Sequence, residues 1–222
     1  MKTILITGGS DGLGKTIAKN LSNDNNVIII ANDENKLKET SRETGCKYFV
    51  CDVTDFNRVQ QVFDEIGKID VLINCAGLWI QDELEVNDFE RIRRVIEVNL
   101  LGVINCSKAC IPYMKKVKGG LIININSQAG INHKAERVVY NASKWGVTGF
   151  SKSLEDEVKK YGIKVTDIMP GKMKTGMFEK MNINKSMDDG LDTKEVANLI
   201  RFILSLPSDV NIPEVGIKNI RN

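Results

Sequence analysis

The sequence predicts an α/β fold, a doubly wound parallel sheet of about seven strands with helices on both faces, in three α/β/α layers. Apolar, β-branched strand segments alternate with amphipathic helical segments, and turn residues separate them. Most strand segments, such as 27–31, are continuous apolar runs, which is typical of strands covered on both faces. This alternation of strand and helix favours right-handed βαβ units.

The individual elements follow from local patterns. Short apolar runs predict strands at 4–7, 27–31, 47–51, 71–74, 121–126 and 164–168, with a short seventh at 215–218. Apolar residues at helical spacing predict helices at 13–23, 34–44, 56–66, 88–116, 138–160 and 194–206. The helix at 88–116 is expected to bend near Gly102 or Pro112, because both residue types weaken a helix interior. No segment has the composition of a linker, so residues 1–222 are predicted to form one domain.

The composition is that of an ordinary globular protein, with 42% hydrophobic and 27% charged residues. A formal charge of +2 gives no electrostatic reason to expect nucleic acid or an anionic membrane as a partner. No run approaches the roughly 18 apolar residues of a membrane span. Threonine and glycine interrupt the first ten residues too early for the apolar core of a signal peptide. These features predict a soluble, cytoplasmic protein.

The five cysteines include no CxxC pair. Cys106 and Cys110 are four residues apart on a predicted helix, a spacing that a metal could use. Because no second pair of ligands accompanies them, we interpret them as core cysteines in a reducing compartment. No metal site is predicted.

A glycine-rich segment, TGGSDGLG over residues 7–14, follows the first predicted strand and leads into the first predicted helix. Glycine lets a backbone turn sharply and approach a pyrophosphate without a Cβ in the way, and a helix amino terminus offers N–H groups to phosphates. An ordinary glycine-rich turn is the alternative, but the position of the motif favours a dinucleotide site. The residues assigned to the cofactor are Gly8, Ser10, Asp11, Gly12, Leu13 and Gly14.

The residue at the end of the second predicted strand distinguishes the two cofactors in such a site. An acid there binds the 2′-hydroxyl of NAD, whereas an arginine binds the 2′-phosphate of NADP. Ala31 and Asn32 stand there, with Asp33 just beyond. The missing carboxylate at Asn32 favours NADP slightly, while Asp11 and Asp33 weaken that preference. The expected cofactor is NAD(P)(H), and the choice between the two forms stays open.

Tyr140 and Lys144 lie four residues apart on a predicted helix and therefore share one face. A tyrosine with its unperturbed pKa of about 10 exchanges protons poorly at neutral pH, and a neighbouring lysine would lower that pKa. Ser127 follows a predicted strand at its carboxyl end, where doubly wound folds bind ligands. An amphipathic helix pair and a loop serine are the alternative interpretation of each residue taken alone.

Taken together, these motifs resemble the short-chain dehydrogenase/reductase family over nearly the whole chain. Further matching segments are Asn74-Cys75-Ala76-Gly77 after the fourth strand, Asp52-Val53 after the third, Asn99 in the long helix, and Pro170-Gly171 with Thr175 after the sixth. The resemblance implies a Rossmann-like fold. It also implies an NAD(P)-dependent carbonyl reductase or alcohol dehydrogenase that acts on a small-molecule carbonyl or secondary alcohol.

The resemblance implies a role for each matching residue. Tyr140 would be the general acid/base, and Ser127 would orient the substrate oxygen. Lys144 would bind the nicotinamide ribose and lower the tyrosine pKa, while Asn99 would hold a water of the proton relay. Asp52 and Val53 would contact the adenine. The remaining implied cofactor contacts are Asn74, Ala76, Gly77, Pro170, Gly171 and Thr175.

The sequence departs from the family pattern at two places. Cys75 replaces the second asparagine of the family's NNAG motif, and residues 212–218 lack the glycine-rich tail that often helps to build tetramers. The expected assembly is a homodimer through the helix that contains Asn99 and the helix that contains Tyr140, with a homotetramer as the alternative.

Residues 172–192 are expected to form a flap over the substrate. Met173, Met177 and Met181 recur every four residues, which gives an apolar stripe if that stretch is helical. The stripe either lines the substrate pocket or packs the flap onto the body. Further candidate contacts, with a solvent-exposed surface as the alternative for the charged ones, are Leu78-Trp79-Ile80, His133, Lys172 and Lys174.

Two other functions stay open. A non-catalytic dinucleotide-binding sensor is one, because a fold alone does not establish activity. A sugar-nucleotide epimerase or dehydratase, which is similar at YxxxK, is the other. Intact Ser127, Tyr140 and Lys144 argue against the first, and the missing GxxGxxG motif argues against the second.

Overall fold

The computed structural model describes residues 1–176 and 189–221. The strands are β1 (Thr3–Thr7), β2 (Asn26–Ala31), β3 (Lys47–Val50), β4 (Val71–Asn74), β5 (Gly120–Ile125), β6 (Ile163–Pro170) and β7 (Glu214–Ile217). The helices are α1 (Gly12–Leu21), α2 (Glu34–Thr44), α3 (Phe56–Ile66), α4 (Phe89–Ile96), α5 (Gly102–Lys116), α6 (Val138–Val158) and α7 (Thr193–Ser205). The seven strands form one parallel sheet in the order β3-β2-β1-β4-β5-β6-β7. The predicted doubly wound α/β fold is confirmed.

The sheet is buried on both faces because alternate residues of its strands enter two separate apolar layers. In β1, Ile4 and Ile6 belong to the layer that contains the apolar residues of α1 and α7. Leu5 lies on the opposite face, in the layer with α3 and α5. All three side chains are fully buried, and burying one side chain of this size contributes about 1.5–3 kcal/mol.

The strand order reverses beside β1, since β2 pairs with one edge of β1 and β4 with the other. A crevice forms outside the carboxyl ends of parallel strands at such a switch point. Helix α1 begins at this crevice, where the Asp11 side chain accepts a hydrogen bond from the backbone N–H of Gly12 at 2.7 Å. The glycine-rich segment therefore lies where the fold opens.

The bend expected in the long helical segment is a π-helical turn. Helix α4 runs into this turn at Glu97–Leu101, and α5 continues from Gly102. The irregularity thus lies directly before Gly102, whereas Pro112 sits inside α5 without ending the helix. Single π turns are frequent at functional sites, and this one carries Asn99.

The segment Phe89–Lys116 also has the length and hydropathy of a membrane span, contrary to the expectation that no run would approach one. Within its most apolar window, 56% is buried inside the fold. Cys106, Ala109 and Cys110 belong to the apolar layer shared with α3. Packing in the core therefore accounts for the apolar character of α5.

Candidate active site

A cleft of about 840 Å³ opens at the carboxyl ends of the central strands. Small-molecule and cofactor sites commonly enclose about 300–1,000 Å³. The residues that line it come from the turns after β1, β2, β3, β4, β5 and β6 and from the first half of α6. The cleft therefore combines the glycine-rich segment with the segments that carry the predicted catalytic residues.

The glycine-rich segment forms one wall of the cleft, and its glycines are required by close contacts of the backbone. A Cβ at Gly14 would lie 2.1 Å from the carbonyl oxygen of Gly8, and a Cβ at Gly8 would lie 2.8 Å from the Cα of Ala76. Gly8 and Gly12 also have positive φ values, +65° and +50°. The wall is fastened to the segment after β4 by Thr7, whose hydroxyl accepts hydrogen bonds from the N–H groups of Cys75 and Ala76 at 2.9 and 3.0 Å.

The predicted adenine contacts form the adjoining part of the cleft. Asn32, Asp52 and Val53 all line it. Asp52 accepts hydrogen bonds from the backbone and hydroxyl of Thr54 and forms an ion pair with Arg94. Burial alone would raise the pKa of Asp52, but these partners lower it. Arg94, which also lines the cleft, was missed by the sequence reasoning because it lies on a separate helix, α4.

The predicted catalytic residues meet at the other end of the cleft. Ser127 lies two residues beyond the end of β5, and Tyr140 lies in the first turn of α6. The hydroxyl of Ser127 accepts a hydrogen bond from the N–H of Ala129 at 3.1 Å. The ring of Trp79, from the segment after β4, packs against that of Tyr140 at an interplanar angle of 51°, with centroids 4.3 Å apart. Burial raises the pKa of Tyr140 to about 12, while nearby Ser127 and the charge of Arg137 act in the opposite direction.

Lys144 lies behind the phenol rather than against its oxygen in this structure. Its Nζ donates a hydrogen bond to the carbonyl of Ile125 at 3.0 Å and lies 5.9 Å from the centroid of the Tyr140 ring. Burial lowers the pKa of Lys144 to about 8, and the charge of Asp167 counteracts this. The cation that lowers the tyrosine pKa here is Arg137, a residue that the sequence reasoning missed; the expected effect of Lys144 is not seen.

Asn99 fixes the segment that carries Trp79. Its side chain accepts a hydrogen bond from the N–H of Leu78 at 2.7 Å and donates one to the carbonyl of the same residue at 2.9 Å. It also donates to the hydroxyl of Ser143 on α6 at 3.1 Å. The fully buried amide therefore joins the π turn, α6 and the segment after β4. The water-holding role implied for Asn99 stays a prediction.

A buried polar pair supports α6 from the sheet. Asn126 donates hydrogen bonds to Asp167 of β6 and to Thr148 of α6, each at 2.9 Å. Burial raises the pKa of Asp167 to about 6, against the opposing effects of the Asn126 hydrogen bond and the Lys144 charge. The sequence reasoning missed this pair, although polar residues inside otherwise apolar strand segments were a usable signal.

The structure brings most of the predicted site residues to the cleft. The predicted residues that line it are Gly8, Ser10, Asp11, Gly12, Leu13, Gly14, Asn32, Asp52, Val53, Ala76, Gly77, Ser127, Tyr140, Lys144, Pro170, Gly171 and Thr175. Asn74 and Asn99 are buried behind its surface. Asn74 instead donates hydrogen bonds to Asn124 at 2.8 Å and Ser107 at 3.2 Å, because its side chain points between the sheet and α5.

Most of the predicted substrate contacts lie at the cleft, since Leu78, Trp79, His133, Lys172 and Met173 line it. Lys174 is exposed and is not among the lining residues. Ile80 is buried in the cluster that contains Tyr140, and Lys172 forms an ion pair with Asp189. Met177 and Met181 lie outside the described residues.

The cysteines are protonated thiols rather than ligands in the part of the chain that the structure describes. All five are free, and Cys106 and Cys110 are fully buried. Burial raises the pKa of Cys51 to about 11 and that of Cys75 to about 12. Among residues 1–176 and 189–221, no group of three or more His, Cys, Asp or Glu side chains could hold a metal ion.

The cleft fits a dinucleotide by its shape and its donors. The backbone packs so closely at Gly8 and Gly14 that neither position has room for a Cβ, and the amino terminus of α1 supplies N–H groups and a positive dipole end for phosphates. A buried tyrosine, a buried lysine and a part-buried serine stand at the other end. A cleft at the switch point of the sheet, with a phosphate-binding segment at one end and proton-exchanging side chains at the other, is typical of a dinucleotide-dependent oxidoreductase.

Comparison with known proteins identifies the family. The short chain dehydrogenase family matches residues 2–186, and the chain belongs to this family of oxidoreductases. Carbonyl reductase family member 4 of Xenopus tropicalis is 36% identical over 217 residues, which cover 93% of this chain and 92% of that protein.

Two solved structures of dehydrogenases are similar over nearly the whole chain. One is the alcohol dehydrogenase of the archaeon Thermococcus sibiricus complexed with 5-hydroxy-NADP, with a TM-score of 0.90, 26% identity, and coverage of 100% of this chain and 98% of that one. The other is the closed form of serine dehydrogenase complexed with NADP⁺, with a TM-score of 0.93, 26% identity, and coverage of 99% and 96%. These similarities do not favour the sensor alternative.

Proposed function

We propose that this protein is an NADP-dependent oxidoreductase that interconverts a carbonyl compound and a secondary alcohol. The observation that carries the proposal is that Tyr140 and Ser127 line the same end of the glycine-walled cleft, with Lys144 one turn further along the helix of Tyr140. A carbonyl reductase and two dehydrogenases among the similar proteins support the same reaction class.

The residues around Asn32 support NADP as the preferred cofactor. Asn32 places no carboxylate where the 2′-phosphate would bind. Asp33 caps α2, accepting a hydrogen bond from the N–H of Lys36 at 3.1 Å, and Asp11 forms an ion pair with Nζ of Lys36 at 3.1 Å. Asp33 and Asp11, the two acids that would repel a phosphate, are therefore both bound to Lys36, and its positive charge lies beside them. Two similar structures hold NADP⁺ and 5-hydroxy-NADP.

The chemistry that the bound cofactor supplies is transfer of a hydride to the carbonyl carbon, with NADP⁺ as the oxidised product. Tyr140 donates its phenolic proton to the carbonyl oxygen, so that the alcohol carries one added hydride and one added proton. Ser127 holds the same oxygen by a hydrogen bond and stabilises the phenolate that remains. Arg137 stabilises this phenolate electrostatically. Lys144 would hold the ribose of the cofactor and supply the proton that restores the phenol.

The test is turnover by a tyrosine variant of the intact protein. We expect Tyr140→Phe to lower kcat/KM by about 10²–10⁴-fold across a panel of aldehydes, ketones and secondary alcohols, the usual size of a general acid/base contribution. Tyr161→Phe is the matched control, because Tyr161 lies outside the cleft and its ring packs against Lys115. Fluorescence titration with NADPH and NADH should give the tighter dissociation constant for NADPH, with little change in Tyr140→Phe.

The result that would overturn the proposal is equally slow cofactor oxidation by wild type and Tyr140→Phe over the whole panel while both bind NADPH. That outcome would assign the protein to the sensor class. A tighter dissociation constant for NADH would overturn the cofactor preference alone.

We also propose a homodimer in the cytoplasm. Large apolar side chains are exposed on the two predicted contact helices, with Phe89 of α4 73% exposed and Trp145 of α6 50% exposed. Such side chains support an interface between copies. Light scattering after size-exclusion chromatography should give twice the chain mass of 24.8 kDa, whereas four times that mass would favour the tetramer. Cell fractionation tests the location.

A further inference from the structure

Arg137 stands beside the reacting group of the proposed function. It immediately precedes α6 and lines the cleft together with Tyr140, one helical turn further on. Its charge acts on Tyr140 strongly enough to oppose the rise in the pKa of the phenol. A group bound by Arg137 would therefore lie next to the carbon that accepts the hydride.

The guanidinium of Arg137 lies against an aromatic pair. Its Cζ lies 4.8 Å from the centroid of the Trp79 ring, which in turn packs at an angle of 51° against the Tyr140 ring. A cation over a tryptophan face gains about 0.5–2 kcal/mol. Arg137 is thus pre-organised at the substrate end of the cleft, which lowers the entropic cost of binding a ligand there.

Within residues 1–176 and 189–221, no carboxylate lies close enough to Arg137 to form an ion pair, and its buried Nε makes no hydrogen bond. Burial lowers the pKa of Arg137, and the charge of the neighbouring Glu136 acts in the opposite direction. The other arginine of the cleft, Arg94, is by contrast paired with Asp52 and donates to Thr54. Because a part-buried guanidinium without an anion is costly, Arg137 is arranged to receive one from a ligand.

We infer that Arg137 binds a carboxylate of the substrate, so that the protein acts on oxo acids and the corresponding hydroxy acids. The planar guanidinium matches a carboxylate in a two-point hydrogen-bonded pair. Its position beside Tyr140 puts the carboxylate a few bonds from the reacting carbonyl. The inference rests on the proposed function for the reaction, but the anion site itself follows from Arg137 and Trp79.

The test compares three oxo acids with their methyl esters: pyruvate, acetoacetate and 4-oxopentanoate. We expect wild type to reduce at least one of these acids with a higher kcat/KM than its ester. Arg137→Gln should lower kcat for acid and ester alike, because Arg137 also acts on the phenol of Tyr140. The anion site adds an increase in KM for the acid of about 10–10²-fold, the size of one charged hydrogen-bond pair. KM for the ester should change much less, and Arg137→Lys should recover part of the loss in KM for the acid.

Lys134→Gln is the matched control, since Lys134 is an exposed cation that lines the same cleft. It should leave the ratio of acid to ester within about twofold of wild type, because an exposed charge contributes little. An equal loss in Lys134→Gln and Arg137→Gln would overturn a specific site at Arg137. A fall in NADPH affinity in Arg137→Gln would assign the arginine to the cofactor instead.

Calorimetric binding of the same oxo acids to the complex with NADP⁺ separates this inference from the proposed function. Binding that weakens in Arg137→Gln, without turnover of any compound, would support the anion site and contradict the proposed reaction. Turnover with equal kcat/KM for each acid and its ester would support the proposed reaction and contradict the anion site. Equal binding of every acid by wild type and Arg137→Gln would also overturn the site.

Discussion

Glycine backbone forms the wall of the cleft beside β1, whereas buried polar side chains support the wall beside β5 and β6. We call residues 7–14 the glycine wall. The amide wall consists of Asn99, Asn126, Thr148 and Asp167, together with the residues to which they are hydrogen-bonded. In the glycine wall, Gly8 and Gly14 function by lacking a side chain. In the amide wall, each amide joins segments that are distant in sequence.

The two constructions suit the two tasks. A pyrophosphate is bound by N–H groups that every residue has, so that wall needs only room and the correct backbone conformation. Proton transfer needs particular side chains at fixed positions, and buried hydrogen bonds between side chains supply that rigidity. In the amide wall the amide nitrogens of Asn99 and Asn126 donate such hydrogen bonds, while Oδ1 of Asn126 and Oδ1 of Asp167 have no hydrogen-bond partner among the described residues. Changes in the glycine wall should therefore impair cofactor binding, and changes in the amide wall should impair turnover.

The largest effect is expected from adding one carbon to the glycine wall. In Gly14→Ala the new Cβ would lie 2.1 Å from the carbonyl oxygen of Gly8, a backbone atom that cannot move independently. We expect a loss of about 3 kcal/mol in the free energy of unfolding, as for severe overpacking. NADPH affinity should fall about tenfold or more, equivalent to about 1.4 kcal/mol. Urea unfolding and fluorescence titration measure the two quantities.

Gly149→Ala is the matched control, because nothing lies within 4 Å of a Cβ at this exposed helical position of α6. It should raise the unfolding free energy by about 0.5–1 kcal/mol through better helix propensity and leave NADPH affinity unchanged. If Gly14→Ala behaved like Gly149→Ala, the close packing of the glycine wall would not be needed for binding.

Much of the glycine wall could be predicted from sequence, because its logic is local. The glycines, the strand before them and the helix after them are contiguous, and the spacing of Tyr140 and Lys144 is also local to one helix. The stack of Arg137 on Trp79 could not be predicted in this way, since it joins the turns after β4 and before α6. The π turn at Asn99 likewise depends on contacts with Leu78 and Ser143 that only the folded chain makes.

Two buried asparagines allow a direct comparison of the two ends of the cleft. Asn99 holds the backbone of Leu78, while Asn105 donates to the carbonyl of Val53, a predicted adenine contact, at 3.0 Å. Each substitution to alanine should cost about 1–3 kcal/mol of stability, because it leaves buried backbone groups unpaired. We expect Asn99→Ala to lower kcat with little change in NADPH affinity, and Asn105→Ala to weaken NADPH binding.

Each of these variants is the control for the other, since both remove a buried amide from the same long helical segment. Steady-state kinetics and NADPH titration on the two proteins should give opposite patterns. If both variants changed the same parameter by the same factor, the division of the cleft into two functional ends would be wrong.

An effect that appears only when pH is varied is expected from two buried charged groups, Asp167 of the amide wall and Lys144 beside it. Asp167 has its pKa raised to about 6 by burial, so the native state holds its proton more tightly and stability falls as pH rises from about 4 to 6. Lys144 has its pKa lowered to about 8, so stability recovers only as pH rises above 8 toward 10.5. These two groups therefore destabilise the fold most between pH 6 and 8.

Asp167→Asn tests this pH dependence by removing the acid limb. Relative to wild type, the variant should gain about 1–3 kcal/mol of unfolding free energy between pH 4 and pH 7, since one pKa unit corresponds to 1.36 kcal/mol. Asp156→Asn, an exposed change on α6 beside Lys159, is the control and should follow wild type.

Removal of the Asp167 carboxylate also removes a charge that raises the pKa of Lys144. If turnover changes at alkaline pH because Lys144 loses its proton, that change should occur at lower pH in Asp167→Asn. An alkaline turnover profile identical to that of wild type would show that Asp167 does not influence Lys144.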